Sequence, residues 1–413
     1  MKLFSLYQRL VYTAVGFACF ATAVTAQTLC SGPGHDHSHG PAVDDRTDFP
    51  FMAGHVHGTV FNDRVFEAAS SEDKITWSKL HLHAGAGFYL APWFRIETRI
   101  KLEEAHNHGG CGEEDHDGEH EEEHDDHAGH DHGFGGDDRF FQDHYAVIEE
   151  LKATVTWGDF DVFAGKFNPR SGLDMHAIPG LYGFEVLEEY SILERLGAGV
   201  RYAMETASFG TVTLELSSFF ADTSFLNEGI GEDRSVPHSR ADGGLANTES
   251  LASFSGCLAG DGWYAAVGDT IHSIDWTLGL AYQDGGEGHE TCRDERRGSV
   301  GLVYGIAWTE KLSSRLVAEW LHAEHFAGGL SDNDFITVGV GFDYGGVTAG
   351  CSFTDVNRSH GEDGHYVQGS IGYQWTSGLG IHVVCKHDDR EDRDMKSVGF
   401  ALSYHHSAQS PVR

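Results

Sequence analysis

After residue 27 this 413-residue sequence has no apolar run long enough for a membrane-spanning helix, which takes about 20 consecutive apolar residues. Proline is scarce, with 8 residues, and so is cysteine, with 7 and no CxxC pair. The missing pairs exclude a zinc ribbon. An exported chain could join some of Cys30, Cys111, Cys257, Cys292, Cys351 and Cys385 in disulfides, and the sequence leaves the pairing open. Positive charge is also in short supply: 28 Lys and Arg face 64 Asp and Glu, a formal charge of −36. That balance excludes a general nucleic-acid binder and argues against adsorption to anionic lipid.

Glycine and aromatics are abundant, with 53 Gly, 26 Phe, 14 Tyr and 8 Trp, a composition that suits many strands joined by turns. Residues 1–26 have the pattern of a cleaved signal peptide. Lys2 and Arg9 precede an uncharged stretch from Leu10 to Ala26, and Val24-Thr25-Ala26 supplies small residues for cleavage before Gln27. The uncharged stretch is at the short edge of a spanning helix, so export is expected rather than anchoring. Residues 27–48 form a histidine-containing N-terminal segment. Residues 49–408 hold the folded unit with a His/Asp/Glu-rich loop at 106–138, and 409–413 form a C-terminal tail.

The folded part alternates with period two. In 93–103, Phe94, Ile96, Thr98, Ile100 and Leu102 share one face, and Arg95, Glu97, Arg99, Lys101 and Glu103 the other. Leu151, Ala153, Val155 and Trp157 oppose Lys152, Thr154 and Thr156; Val212, Leu214 and Leu216 oppose Thr213, Glu215 and Ser217. Ile336, Val338, Val340, Phe342 and Tyr344 oppose Thr337, Gly339, Gly341 and Asp343. A soluble antiparallel sandwich alternates too. These segments, however, run to about ten residues, the length that crosses a bilayer at a tilt. Aromatics at Tyr89, Trp93, Trp157, Phe160 and Trp375 crowd the strand ends, where an interfacial girdle would lie. Every strand edge in a membrane must be paired, so the sheet must close. The fold class read from the sequence is all-β, a transmembrane antiparallel β-barrel.

Turn signals set the strand number. Short turns are expected at Ala91-Pro92, Gly158-Asp159, Ser208 to Gly210, Gly260 to Gly262, Lys311 to Ser314, Gly345-Gly346 and Ser377-Gly378. Long connections are expected at 61–74, 106–138, 168–193, 225–248 and 284–297, with shorter ones near 328–333, 358–364 and 389–393. They alternate if 263–283 is one long strand, which gives about sixteen strands (range fourteen to eighteen), short periplasmic turns and long extracellular loops. Asp269 to Ser273 is the competing turn. Too few residues separate Gln27 from the first strand for a preceding plug domain. At this strand number the lumen is polar and usually an aqueous channel.

The stretch GKFNPRSGLDMHAIPGLYGFEVLEEYSILERLGAGVRY at 165–202, with FFADTS at 219–224 and DGGLANTES at 242–250, resembles porin-like outer-membrane proteins of Gram-negative bacteria. The resemblance spans most of the chain from about residue 50. It implies a channel in the outer membrane, with lipid and the barrel-assembly machinery as partners, and it leaves open whether a homotrimer forms. It names no solute. Such barrels commonly end on an aromatic; here SVGFALSYHH puts His406 at that place, with seven residues after it.

The sharpest chemical motif is the run 106–133. His120-Glu121-Glu122-Glu123-His124 matches HExxH, which needs a helix to aim both imidazoles at one metal. Mutually repelling acids flanked by glycine will not hold that helix, so a chance match in a low-complexity segment is expected. Metal collection suits the run better, because imidazoles with carboxylates take zinc, nickel or copper. The candidate ligands are His106, His108, His116, His120, His124, His127, His130 and His132, with His35, His37 and His39 near the mature N-terminus. Weak multi-site binding is expected, and no cofactor is required.

Inside the barrel, His55 and His57, and His81 and His83, fall in pairs on strand faces, and four imidazoles would meet if the two strands are neighbours. Arg95, Glu97, Arg99 and Lys101 would line a wetted wall. The connection 168–193 is the candidate constriction, with Arg170, Asp174, His176, Glu185, Glu188 and Glu189 among the apolar anchors Leu181, Tyr182 and Phe184. The alternative is a surface loop over the rim.

Three functions compete at this stage. One is passive diffusion of small hydrophilic solutes with a cation bias, the histidine-rich segments gathering divalent metal. The second is a dedicated metal or metal-chelate (siderophore-type) receptor with a closed or gated lumen. The third is a non-transport surface barrel, adhesin or enzyme. No serine–histidine pair is identifiable at the rim, and no catalytic residue is assigned.

Overall fold

The computed structural model describes residues 49–68, 70–71, 73–104, 137–174, 176–206, 210–231, 236–286, 292–390 and 394–411. Sixteen long strands run in chain order. They are β1 (Phe51–Glu67), β2 (Thr76–Ala91), β3 (Phe94–Glu104), β4 (His144–Trp157), β5 (Phe160–Phe167), β6 (Arg195–Thr206), β7 (Gly210–Ala221), β8 (Ser253–Val267), β9 (Thr270–Gln283), β10 (Glu295–Ala307), β11 (Leu312–Glu324), β12 (Asn333–Tyr344), β13 (Val347–Arg358), β14 (Gly364–Gln374), β15 (Leu379–Asp389) and β16 (Met395–Pro411). Each pairs antiparallel with its sequence neighbours, and β16 returns to β1 from Phe51↔Pro411 to Glu67↔Lys396. The sheet is therefore a closed sixteen-stranded barrel without a free edge. Two-residue pieces at Arg139–Phe140 and Ile230–Gly231 add to β2 and β4. Among the described residues no helix is long and apolar enough to cross a membrane.

The faces are inverted relative to a soluble protein. Leu278, Leu302, Leu316, Ile336, Val338, Val383 and Leu402 are exposed outward, each at 43% or more. Lys101, Glu149, Lys166, Gln283, Glu319 and Gln368 are buried inward. A continuous apolar band is costly in water and favourable against lipid, and closure satisfies every backbone group across it. Trp93, Trp157, Trp308, Tyr344 and Trp375 are exposed near the short-turn end, and Phe66, Phe254 and Trp320 near the other, which makes two girdles. Tyr89 is not one of them. It points inward, only 7% exposed, and stacks on Phe51 at 4.5 Å.

The strand number agrees with the sequence reading, but one turn moves. Gly268-Asp269 closes the hairpin between β8 and β9, with Val267 opposite Thr270. The Gly260–Gly262 stretch, expected as the turn, is a register shift inside β8. A bulge inserts extra residues without reversing the chain, and glycine permits both outcomes, so composition alone could not separate them. Two expected boundaries shift as well. β1 runs on to Glu67 rather than yielding to a loop at residue 61, and β16 continues through His406 to Pro411. Strand pairing with β1 extends the last strand beyond the aromatic-to-histidine position.

Cys257, Cys351 and Cys385 are free thiols, and Cys292 is disulfide-bonded. Cys351 and Cys385 both lie opposite Gly369 from its two sides, two strand spacings apart, which is too far for a bridge.

Candidate functional site

The connection from β5 to β6 does not lie over the rim. It enters the lumen and crosses to the opposite wall. Within it, GFEVLEEY forms helix α1 (Gly183–Tyr190) because Val186, Leu187 and Tyr190 recur at helical spacing on one face. That face packs with Phe61, Val317, Leu321, Phe335, Val356 and Tyr366 into an apolar core inside the barrel. Each fully buried apolar side chain of this kind contributes about 1.5–3 kcal/mol, so the helix has a reason to sit inside rather than in solvent.

The polar face of α1 is held by charge. Glu185 accepts hydrogen bonds from Lys79 on β2, Lys386 on β15 and Tyr366 on β14, the last at 2.6 Å. Burial opposes its ionisation, yet Lys386 and Lys79 outweigh it and hold the carboxyl well below the usual range. Glu188 pairs with Lys101 at 3.0 Å, and Lys101 also reaches Glu194 at 3.4 Å. Glu189 is gripped by Arg390, which itself chelates Asp388. Tyr182 donates to Asp63, Tyr190 donates to Glu319 at 2.7 Å, and Arg297 donates to the Tyr190 carbonyl. The three glutamates expected to set selectivity are thus consumed in anchoring the plug.

Before the helix, residues 171–181 run along a track of small inward positions. Ser299 donates to the Ser171 carbonyl at 2.6 Å, Gln368 to the Pro179 carbonyl at 2.5 Å, and Leu181 N–H to Ser370 at 3.2 Å. Glycines give the room: a Cβ on Gly279 would lie 2.0 Å from the Ser171 oxygen, and one on Gly350 would lie 2.5 Å from the Gly180 nitrogen. Gly301 and Gly339 stand likewise under Leu173 and Pro179. Gly279→Val should therefore lift the connection from the wall while leaving the outward face untouched, at a cost of about 1–3 kcal/mol. Single-channel conductance should change while heat-modifiable gel migration stays that of a folded barrel. Unchanged conductance would mean the connection does not limit passage.

Beside the plug remains a space of about 120 Å³ whose charged border is Arg99, Glu150, Lys152, Arg170 and Asp174, with His176 beside them. Arg99 lies 3.7 Å from Glu149 and 3.8 Å from Glu150, and Arg95 bridges Glu97 and Asp161 at 3.2 and 3.0 Å. These cations and acids face the lumen as a paired lattice rather than as a ring of one sign.

The histidine pairs do meet. His57 stands opposite His83 on β2 and opposite His405 on β16. His81 and His83 approach to 3.0 Å between Nε2 atoms, and His83 reaches Glu149 at 3.2 Å. His55 leans over Gly85, where a side chain would collide with its ring. His176 of the plug comes within 6.0 Å of the His83 ring and 6.2 Å of the His57 ring. Burial, then the neighbouring His83 and Arg99, push the His176 imidazole down to about 4 against the pull of Asp174. His405 was not singled out from sequence; the alternation that placed His55 and His57 inward would have placed it too. Lys79, Lys386, Arg297 and Glu319 gave no local signal of this role, because their partners in the plug lie more than 100 residues away.

The other sequence candidates, His35, His37 and His39 and the run from His106 to His132, HExxH included, lie outside the described residues.

No protein-family model matches the chain, and no curated protein does. Among solved structures the chain is similar to a mutant of the Rh. blastica porin, at 12% identity, covering 86% of this chain and 100% of that one with a TM-score of 0.46. It is also similar to in-vitro folded OmpT, an outer membrane protein of Vibrio cholerae in trimer form, at 10% identity, covering 87% and 100% with a TM-score of 0.46.

Proposed function

We propose that this protein is an outer-membrane channel for passive diffusion of small hydrophilic solutes, throttled by the connection 168–194. The observation that carries the reading is the plug itself: it packs inside the lumen and leaves beside it a space bordered by charged side chains. The charges bordering that space nearly balance, with Arg99, Lys152 and Arg170 against Glu150, Asp174, Glu215 and Glu319. Cation bias would then come from the field of the whole chain, at −36, acting at the mouths. The histidine-rich segments at 27–48 and 106–138 would gather divalent metal, the second of them at the long-connection mouth. The reading carries no catalytic role, and it accommodates a homotrimer in the bilayer.

A second reading, a channel dedicated to metal or metal-chelate, is favoured by the imidazoles of His55, His57, His83, His176 and His405 converging in the lumen. One experiment separates the two. In planar bilayers the protein should give small, ohmic potassium steps, and a salt gradient should produce a modest cation-selective reversal potential that shrinks as ionic strength rises. Zinc should leave potassium conductance almost unchanged under the first reading and block it under the second. Absence of any conductance would sink both and favour a non-transport barrel.

A further inference from the structure

The outer wall of the barrel carries a cluster that the transport reading does not use. His365 at the start of β14 and His387 and Asp389 at the end of β15 all point outward, since Tyr366 and Asp388 between them are buried inward. His365 and Asp389 are cross-strand partners, with Nδ1 3.1 Å from Oδ2. The rings of His365 and His387 stand 4.9 Å apart at 83°. One ligand atom from each of the three residues lies within 4.8 Å of the other two. We propose that His365, His387 and Asp389 bind a divalent transition metal of the zinc class at the long-connection rim.

The donor set supports this assignment. Two imidazoles and one carboxylate suit zinc and its neighbours and disfavour calcium or magnesium, which take oxygen ligands. Ligands at about 2.0–2.2 Å from a tetrahedral ion lie about 3.4 Å from one another, so the His365–Asp389 spacing is already right and His387 has a short distance to close. Paired strands fix the backbone, and the half-exposed side chains have room for that adjustment. The charges facing the site are Asp355, which stands opposite His365 on β13, Asp394, whose carboxylate lies 2.9 Å from His387 Nε2, and Lys396, which stands opposite His387. Asp394 can supply a fourth ligand, while Glu67 holds the Lys396 ammonium at 2.5 Å.

The lumen offers a contrast. His81, Glu103 and Glu188 also converge, but the Lys101 ammonium sits 2.6 and 3.0 Å from those carboxylates and already occupies the position of a cation. At the rim no such ammonium intervenes among the described residues. The site is also one residue from Arg390, which grips Glu189 of α1, so a bound ion would stiffen the segment that anchors the plug. This proposal rests on the fold and is independent of whether the barrel conducts.

Zinc titration of the full-length, chelator-stripped protein in detergent tests it by calorimetry. His365→Ala and His387→Ala should each lose one equivalent of tight zinc binding, and Asp389→Asn should weaken that equivalent. His360→Ala, an exposed histidine on a neighbouring connection, should lose none. Heat-modifiable migration should match the parent in every variant, since all these side chains are at the surface. Cobalt in place of zinc should give a visible tetrahedral band that His365→Ala and His387→Ala abolish. The same tight stoichiometry and band in parent and variants would overturn the proposal and leave all zinc to the histidine-rich segments. An equal loss in His360→Ala would overturn it as well, because the binding would then not depend on the cluster.

Discussion

Replacing Glu185 by Leu should release the plug and raise single-channel conductance severalfold while the barrel itself remains folded. Glu185 neutralises Lys79 and Lys386 and accepts from Tyr366, all in the lumen interior. Removing one partner of a buried ion pair costs about 3–5 kcal/mol, because the remaining charge loses its partner without gaining water. Asp63, which also faces both ammonium groups, offsets part of that cost. Here two ammonium groups would be left at the face of an eight-residue helix, and the helix is the movable element. The wall is held by sixteen strands of paired backbone, so the stress should appear as displacement of α1. Lys79→Met and Lys386→Met added to Glu185→Leu should restore the low conductance, since an apolar triad of similar volume can replace buried charges. If the single variant conducts like the parent, the helix is held by its apolar face alone. Acid should act in the same direction as the single variant. The Glu185 carboxyl is depressed in the folded state, so its contribution is complete above its ordinary range and is lost only as pH falls through the lowered value.

Val338→Arg should prevent stable insertion. Val338 lies at the middle of β12 on the outward face and is 44% exposed to what is lipid in a membrane. An arginine at the bilayer midplane of a barrel costs roughly 2–4 kcal/mol, falling to roughly 0–1 near the interface. Val347, the first residue of β13, points the same way beside the Gly345-Gly346 turn and is 39% exposed. Val347→Arg should therefore fold and insert almost as the parent does. Urea titration in vesicles reads both costs. Equal destabilisation by the two substitutions would contradict the placement of the bilayer across the strand centres.

The sequence by itself determined the wall. Alternation along Phe94 to Glu103 and Ile336 to Tyr344 is a local property, because successive strand residues point to opposite faces whatever they pair with. Sixteen strands, the outward apolar band and the inward charge follow from that rule together with the requirement that no strand edge remain unpaired. Where composition allowed two local answers, as at Gly260–Gly262 and Gly268-Asp269, the alternation could not choose between a bulge and a turn.

Only the tertiary structure decided what fills the lumen. Glu185, Glu188 and Glu189 read as charges around a constriction, but closure of the barrel brings Lys79, Lys101, Lys386 and Arg390 to them and makes them anchors. Gly279, Gly301, Gly339 and Gly350 carry no local sign of a role, and it is the connection lying on them that gives their missing side chains a use. The meeting of His55, His57, His83, His176 and His405, and of His365 with His387 and Asp389, depends on strand register and on a connection more than 100 residues distant from some of its partners. Periodicity specifies which way a side chain points. Which charge it meets there is fixed by ring closure, because contacts across a barrel join residues with no sequence relation to one another.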